Sequence, residues 1–137
     1  MSGVAELNER IRDTLSGLVG VEITEVRQRR LVGRLRAEPR LFAANGYLHA
    51  ATVVALADTL CGFGALEHLP PGAESFTTVE LKANLLGTAR EGIIECVAKL
   101  VHGGRTTQVW DAEVKHIDSN RTIALFRCTQ LNLYPHE

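Results

Sequence analysis

The sequence has no large excess of positive or negative charge. Its 137 residues include 15 lysines and arginines against 16 aspartates and glutamates, which leaves a formal net charge of −1. A protein without a strong net charge does not attract nucleic acid or anionic lipid over its whole surface. We therefore expect neither nucleic acid nor a membrane as a partner, and any recognition of phosphate has to come from a local group of residues.

Cysteine is also scarce. The three cysteines, Cys61, Cys96 and Cys128, are odd in number and far apart, so they form no Cys-x-x-Cys pair or Cys/His cluster with metal-ligand spacing. Each lies in an apolar run and is predicted to be a small buried residue. The N-terminus is too polar for a signal peptide. Free thiols without an export signal indicate a cytoplasmic protein, and no metal site is expected.

The remaining composition is that of a globular protein. Hydrophobic residues make up 45% of the chain and charged residues 23%, which argues against a disordered chain and fits a single domain over residues 1–137. Apolar residues recur at helical spacing near the N-terminus and predict one amphipathic helix within residues 1–19. These residues are Leu7, Ile11, Leu15 and Leu18.

One long apolar segment, residues 47–69, is predicted to be a helix from its alanine and leucine content. Asp58 is the only formally charged residue between Tyr47 and Leu66. A helix that is apolar almost all round has to be buried, either in protein or in lipid. Asp58 in the middle would cost several kcal/mol in lipid. Because the rest of the chain supplies a complete set of soluble strands, we favour burial in protein.

Hydrophobic and polar residues alternate with a period of two through most of the remaining sequence. A pair of strands is predicted within residues 21–37, and four more follow the break at Pro70-Pro71-Gly72. Short links are expected at residues 87–92, 102–104 and 118–121. The predicted class is α+β, with an antiparallel sheet of five to six strands wrapped around one long central helix. Such a sheet has an edge strand, and covering that edge favours a homodimer with a continuous sheet.

Asp58 has two interpretations. In the structural one, its carboxylate caps backbone amides or pairs with an arginine, since a buried ionised group needs a partner. In the functional one, it faces a cleft and acts as a general base or a nucleophile. Its position in the sequence does not decide between them.

The surrounding motif does favour one of them. The run Asn45-Gly46-Tyr47-Leu48-His49-Ala50-Ala51, with Asp58 nine positions after His49, resembles the Gly-x-x-His-Gly-Gly signature and following acid of hotdog-fold acyl-CoA thioesterases. The similarity is to the phenylacetate-pathway and 4-hydroxybenzoyl-CoA types. Residues 79–85, 102–107 and 109–114 resemble the third strand of that family, its following turn and its next strand. The resemblance covers about residues 33–131.

The resemblance implies a hotdog fold and hydrolysis of an acyl-CoA thioester. Asp58 would be the nucleophile or the general base, the Ala50 amide would polarise the thioester carbonyl, and Asn45 and His49 would belong to the same site. CoA enters as part of the substrate, so no separate cofactor is implied, and the homodimer is expected to assemble into a homotetramer. Residues assigned to the substrate or to CoA are Gly46, Thr59, Thr78, Gly103, Gly104, Arg105 and Thr106.

Two departures from the signature keep other functions open. Ala50-Ala51 replaces the Gly-Gly pair, and Ala43 stands where the family often has glutamine or asparagine, a role that Asn45 would have to take. Both changes favour the alternative of a non-catalytic acyl-CoA-binding or regulatory protein. A hydratase or dehydratase is disfavoured, because a spacing of nine residues does not put His49 and Asp58 on one helical face. For His49, a structural role at the helix start is favoured over a catalytic base.

Overall fold

A six-stranded antiparallel sheet packs around one long helix in the computed structural model, which describes residues 1–136. The predicted class and architecture, the α+β hotdog arrangement, are confirmed. The elements in chain order are α1 (Val4–Ile11), α2 (Leu15–Leu18), β1 (Glu22–Arg27), β2 (Arg30–Arg36), a 3-10 turn (Pro39–Leu41), α3 (Ala50–Glu67), β3 (Ser75–Leu85), β4 (Ile93–Gly103), β5 (Thr107–His116) and β6 (Arg121–Leu133).

The central helix α3 is shorter than the predicted span of residues 47–69. It begins at Ala50 because His49 has extended backbone angles and caps the helix, while Leu48 forms a β-bridge with Phe42. It ends at Glu67. By length and composition α3 is apolar enough to cross a membrane, a test that the core helix of a soluble protein also passes, and half of its residues are buried within the protein.

The strands bury alternate residues against α3, as their period of two predicts. In β4 and β5 the inward residues are almost fully buried, and the intervening charged residues face the opposite side of the sheet. The three cysteines are free and buried, which confirms their predicted role as small core residues. The buried residues of these two strands are Ile94, Cys96, Ala98, Gln108, Trp110, Ala112 and Val114.

The order of strands in the sheet is β1-β2-β4-β5-β6-β3. The predicted links at residues 102–104 and 118–121 do join neighbouring antiparallel strands. The link at 87–92 does not, because β3 pairs with β6, from Ser75 opposite Leu133 to Leu85 opposite Ala124. The chain therefore crosses from the edge of the sheet to its interior between β3 and β4. This crossing leaves β3, a strand of 11 residues, at one edge.

The predicted single helix over residues 1–19 is wrong. The chain leaves the helical path after α1, where the Thr14 hydroxyl donates a hydrogen bond of 2.6 Å to the Ile11 carbonyl and Thr14 takes extended angles before α2. Leu7 and Ile11 are buried, as predicted. Leu15 and Leu18 are instead 69% and 63% exposed, so they do not continue the buried face of α1.

Candidate active site

Asp58 lies in the third turn of α3 and is half-buried. Its Oδ1 atom is buried and has no hydrogen-bond partner within residues 1–136, and no ion pair to Asp58 occurs in the same range. Burial raises the pKa of this carboxyl group. Within these described residues, Asp58 thus lacks the cap or arginine partner that a structural role requires. A carboxyl group in this state has an increased proton affinity, which is the property that a general base needs.

A cavity of about 230 Å³ opens beside Asp58. It lies between α3, the short helix α2 and the start of β3. The Ser16 and Thr59 hydroxyls hydrogen-bond to each other at 2.6 Å across this space, and the Arg10 guanidinium lies 5.5 Å from the Phe63 ring centre. The cavity is therefore mostly apolar with a few polar atoms. Its lining residues are Ser16, Asp58, Thr59, Gly62, Phe63, Leu66 and Phe76.

A larger groove of about 720 Å³ lies on the outer face of the sheet, away from Asp58. Its walls carry charged residues of both signs, including Lys82, Glu95, Lys99, Asp111 and Arg127. Two of these, Asp111 and Arg127, pair with each other at 2.8 Å between Oδ2 and Nη2. The acids of this groove, Glu95 among them, have no buried oxygen without a hydrogen-bond partner within residues 1–136, whereas Asp58 has one. The smaller cavity at Asp58 is therefore the better candidate for chemistry.

The N-terminal end of α3 presents a free amide. The His49 Nδ1 atom accepts a hydrogen bond of 2.9 Å from the Ala51 amide, and the His49 carbonyl accepts from the amides of Thr52 and Val53. The Ala50 amide has no acceptor within the part of the chain that the structure describes. The His49 ring thus caps the helix, and the exposed Ala50 amide remains available to a ligand.

Asn45 and Gly46 form the turn that leads into α3. The Asn45 Oδ1 atom accepts from the Tyr47 amide at 3.2 Å, and Gly46 has a positive φ of 85°. Both residues are exposed. The Arg90 guanidinium lies over the Tyr47 ring, 4.3 Å from its centre. Asn45 is therefore engaged in a local turn near the helix start.

The predicted catalytic groups do not all meet within one chain. Ala50 and Asp58 are eight residues apart on the same helix, which corresponds to about 12 Å along its axis. A single thioester carbonyl cannot reach both groups over that distance. Thr78 lies on the exposed part of β3 and donates a hydrogen bond of 2.6 Å to Gln130, whereas Thr59 lines the cavity next to Asp58.

The turn of residues 103–106 links β4 to β5. It is tied to the C-terminal end of α3 through buried side chains, since Gln108 donates to the Ala65 and His68 carbonyls and to Asn132. It therefore lies at the opposite end of α3 from Ala50. The Arg105 guanidinium sits over the Tyr134 ring, 5.0 Å from its centre.

Sequence reasoning missed two groups of residues. Ser16, Gly62 and Leu66 line the cavity but carry no motif, and Ser16 reaches it only because the N-terminal helix breaks. The second group is Gln108, Gln130 and Asn132, which are buried polar residues on inward positions of β5 and β6. Their signal is present in the sequence, since they occupy positions where the period of two requires apolar residues.

The chain belongs to the thioesterase superfamily, whose family model matches residues 45–123. It is 33% identical over 119 residues to the putative esterase ComA2 of Bacillus subtilis, covering 87% of this chain and 94% of that protein. It is 29% identical over 115 residues to a 1,4-dihydroxy-2-naphthoyl-CoA hydrolase of Listeria monocytogenes, covering 84% and 92%. A mutant of thioesterase PA1618 from Pseudomonas aeruginosa superposes with a TM-score of 0.91 at 25% identity, covering 97% and 95%. The class of the protein is therefore a hotdog-fold thioester hydrolase.

Proposed function

We propose that this protein hydrolyses acyl-CoA thioesters to the free acid and CoA. The observation that carries the proposal is the Asp58 carboxyl group, which is half-buried, has an Oδ1 atom without a partner within residues 1–136, and borders an apolar cavity. Membership of the thioesterase superfamily supplies the reaction type.

The chemistry requires a base and an amide donor. In the simplest route, Asp58 accepts a proton from water as the water oxygen bonds to the thioester carbon. The carbonyl oxygen becomes an oxyanion, which the Ala50 amide and the positive end of α3 stabilise. The carbon–sulfur bond then breaks, and the CoA thiolate takes up a proton. Direct attack by Asp58, followed by hydrolysis of an anhydride, is the alternative with the same residues.

The distance between Ala50 and Asp58 supports a site built from two copies of the chain. One copy would contribute the carboxylate and the other the helix N-terminus with Asn45. The edge strand β3 offers a surface for this pairing, because its apolar residues Val79 and Leu81 are 55% and 43% exposed. A homodimer through this edge is therefore part of the proposal, and association into a homotetramer remains a prediction.

The turn of residues 103–106 is proposed to bind CoA phosphate. Gly103 and Gly104 let a ligand approach the backbone closely, and Arg105 can pair with a phosphate through two hydrogen bonds. Thr106 adds a hydroxyl at the same exposed turn. The turn lies at the end of α3 opposite Ala50 of its own chain.

An aromatic acyl group is the first substrate to test. Phe63 and Phe76 line the cavity beside Asp58. Two relatives, from Listeria monocytogenes and Escherichia coli, are 1,4-dihydroxy-2-naphthoyl-CoA hydrolases. Both observations favour a planar acyl group over a long flexible chain.

A non-catalytic acyl-CoA-binding protein is the second candidate, because Ala50 and Ala51 replace two glycines. Both alanines are nevertheless ordinary helical residues, and neither has a positive φ. The Ala50 amide is thus available without backbone strain, the Ala51 amide donates to His49 Nδ1, and only the methyl groups narrow the approach. This geometry favours catalysis over binding alone.

The test is release of free thiol from acetyl-, hexanoyl-, benzoyl- and phenylacetyl-CoA by the wild type and by Asp58→Ala. Hydrolysis by the wild type that is lost in the variant supports the proposal and ranks the acyl groups. A folded wild type that binds CoA without releasing thiol from any of them would favour the binding protein instead.

A further inference from the structure

We propose that Asn132 is a positioning residue for the phosphate of CoA, although it lies outside the thioester site. The inference rests on the proposed function, because it assumes that the acyl group is carried by CoA. Asn132 is the penultimate residue of β6, and its side chain points inward and is only 5% exposed. It does not contact Asp58 or the cavity beside it.

Three successive carbonyl groups of the turn point towards Asn132. Its side-chain amide donates to the carbonyls of Gly104 and Arg105, each at 3.1 Å. Its backbone amide donates to the carbonyl of Thr106 at 2.8 Å. Asn132 therefore contacts three successive peptide carbonyls of the turn, and the Tyr134 hydroxyl also donates to the carbonyl of Arg105.

This orientation determines where the amide protons point. In a trans peptide, the C=O and the N–H of the same unit face opposite directions. The carbonyls of Gly104 and Arg105 point inward, so the N–H groups of Arg105 and Thr106 point outward at exposed residues. Successive N–H groups that face the same side form a concavity that binds anions. The Arg105 guanidinium is held at the same turn over the Tyr134 ring.

The side-chain amide of Asn132 is held in one orientation, with Nδ2 towards the turn and Oδ1 towards Gln108. Its Oδ1 atom accepts a hydrogen bond of 3.0 Å from Gln108 Nε2, which requires the Nδ2 atom to face the turn. Gln108 is itself 1% exposed, and its Oε1 atom accepts from the Trp110 indole at 2.8 Å. Gln108 also donates to the carbonyls of Ala65 and His68 at the end of α3. Buried hydrogen bonds to Gln108 therefore orient the side-chain amide of Asn132. Asn132 in turn orients the peptide groups of the turn.

A purely structural role for Asn132 makes a different prediction. If Asn132 only satisfied buried carbonyls, its loss would lower stability and would affect every substrate equally. If it positions the phosphate site, its loss weakens only ligands that contain the nucleotide part of CoA. A pair of substrates with the same acyl group separates the two roles.

The test uses benzoyl-CoA and S-benzoyl-pantetheine, which lacks the nucleotide half of CoA, with the full-length protein. The variant Asn132→Asp keeps the acceptor for Gln108 and the backbone bond to Thr106, but it loses both side-chain hydrogen bonds to the turn. The matched control is Gln130→Glu, the same change two residues earlier on the buried face of β6, where the acceptor for Thr78 is kept. Thermal unfolding compares the stability of both variants, and Asn132→Leu replaces Asn132→Asp if the latter does not fold.

We expect Asn132→Asp to raise KM for benzoyl-CoA about tenfold, a factor that corresponds to about 1.4 kcal/mol. Its kcat for benzoyl-CoA and its KM for S-benzoyl-pantetheine should stay near the wild-type values, and Gln130→Glu should leave the ratio of the two KM values unchanged. An equal change for both substrates, or no change for either, overturns the inference.

Titration calorimetry with CoA itself keeps this inference separate from the proposed hydrolysis. If the wild type turns over neither substrate but binds CoA, and Asn132→Asp binds it about tenfold more weakly, the positioning role stands and the hydrolase proposal falls. Equal affinity of the two proteins, or no binding of CoA by the wild type, overturns the positioning role.

Discussion

Ala50 and Asp58 lie on the same helix, eight residues and about 12 Å apart, with a free amide at one position and an unpaired buried carboxyl oxygen at the other. The carboxyl group of Asp58 is suited to accept a proton from water, and the Ala50 amide is suited to stabilise the oxyanion. Neither can assist the other within a single chain. This separation links the proposed chemistry to the proposed dimer, because a site that uses both groups would require two copies of the chain.

Asp58→Asn should abolish most of the hydrolysis while leaving the fold intact. The amide cannot accept a proton from water, and loss of a general base typically lowers the rate by about 10²–10⁴-fold. The measurement is kcat on the best acyl-CoA substrate. Asp111→Asn is the control, since Asp111 lies on the outer face of the sheet and pairs with Arg127. Comparable losses in the two variants would remove Asp58 from its proposed role.

The pH dependence of activity should reflect the raised pKa of Asp58. Because burial favours the protonated form, the base becomes available only above the ordinary carboxyl value of 3.8. The acid limb of kcat/KM against pH should therefore fall at a higher pH than for an ordinary aspartate. An acid limb at or below 3.8 would contradict this assignment.

The same shift makes a prediction for stability. The folded state keeps the Asp58 proton over a range of pH in which the unfolded chain has already released it, so the free energy of unfolding falls as pH rises from 3.8 to the raised value. Asp58→Asn removes the titrating carboxyl group, so the free energy of unfolding of the variant does not fall for this reason. The variant should have a higher Tm than the wild type at neutral pH, and the difference should disappear well below pH 3.8. A variant that is less stable at neutral pH would show that the carboxylate has a stabilising partner.

Two glycines of α3 should respond very differently to alanine. A Cβ atom on Gly64 would approach three atoms of the buried Trp110 ring at 2.7, 2.8 and 2.9 Å. Gly64→Ala should therefore lower the free energy of unfolding by about 1–3 kcal/mol, as overpacking of a core does. A Cβ on Gly62 meets only the edge of Phe76, at 3.2 Å. Gly62→Ala should keep its stability and lose activity mainly on bulky acyl groups, because Gly62 lines the cavity.

Chemical denaturation and the acyl-CoA panel check both halves of this prediction. Equal loss of stability in the two variants would mean that the packing around Trp110 can relax. An unchanged acyl preference in Gly62→Ala would mean that the cavity beside Asp58 does not hold the acyl group.

Local patterns in the sequence predict the elements well and their arrangement less well. The period of two places all six strands, and the apolar run around Asp58 places the core helix, because these signals reflect burial of single residues. The position of β3 beyond β6 is not encoded in any one strand, since it depends on which edges pair over a long distance. Apolar spacing does not predict the break at Thr14, because the spacing continues through a residue that has extended backbone angles and bonds to the Ile11 carbonyl through its hydroxyl and its amide.

Of the residues that line the cavity, the sequence singles out Asp58 and Thr59 as site residues but not Ser16, Gly62 or Leu66, and it does not give the geometry. Spacing from His49 to Asp58 identifies the motif, but only the structure shows that Ala50 and Asp58 are too far apart to act together in one chain. The buried amides of Gln108 and Asn132 were visible as polar residues at inward positions. The role proposed for Asn132 in orienting the turn of residues 103–106 follows only from its hydrogen bonds to the Gly104 and Arg105 carbonyls.

The central claim, that each site combines Asp58 of one copy with the Ala50 amide of another, is tested by mixing two inactive variants. Asp58→Asn removes the base. Ala50→Pro removes the amide proton without breaking the helix, since proline is accepted at the first position of a helix and the preceding His49 already has φ −64° and ψ 136°.

Refolding an equal mixture should restore about a quarter of the wild-type activity, because half of the dimers are mixed and each of these contains one intact site of two. Each variant refolded alone should remain inactive. Mixed dimers that form but show no recovered hydrolysis would contradict a site shared between two copies.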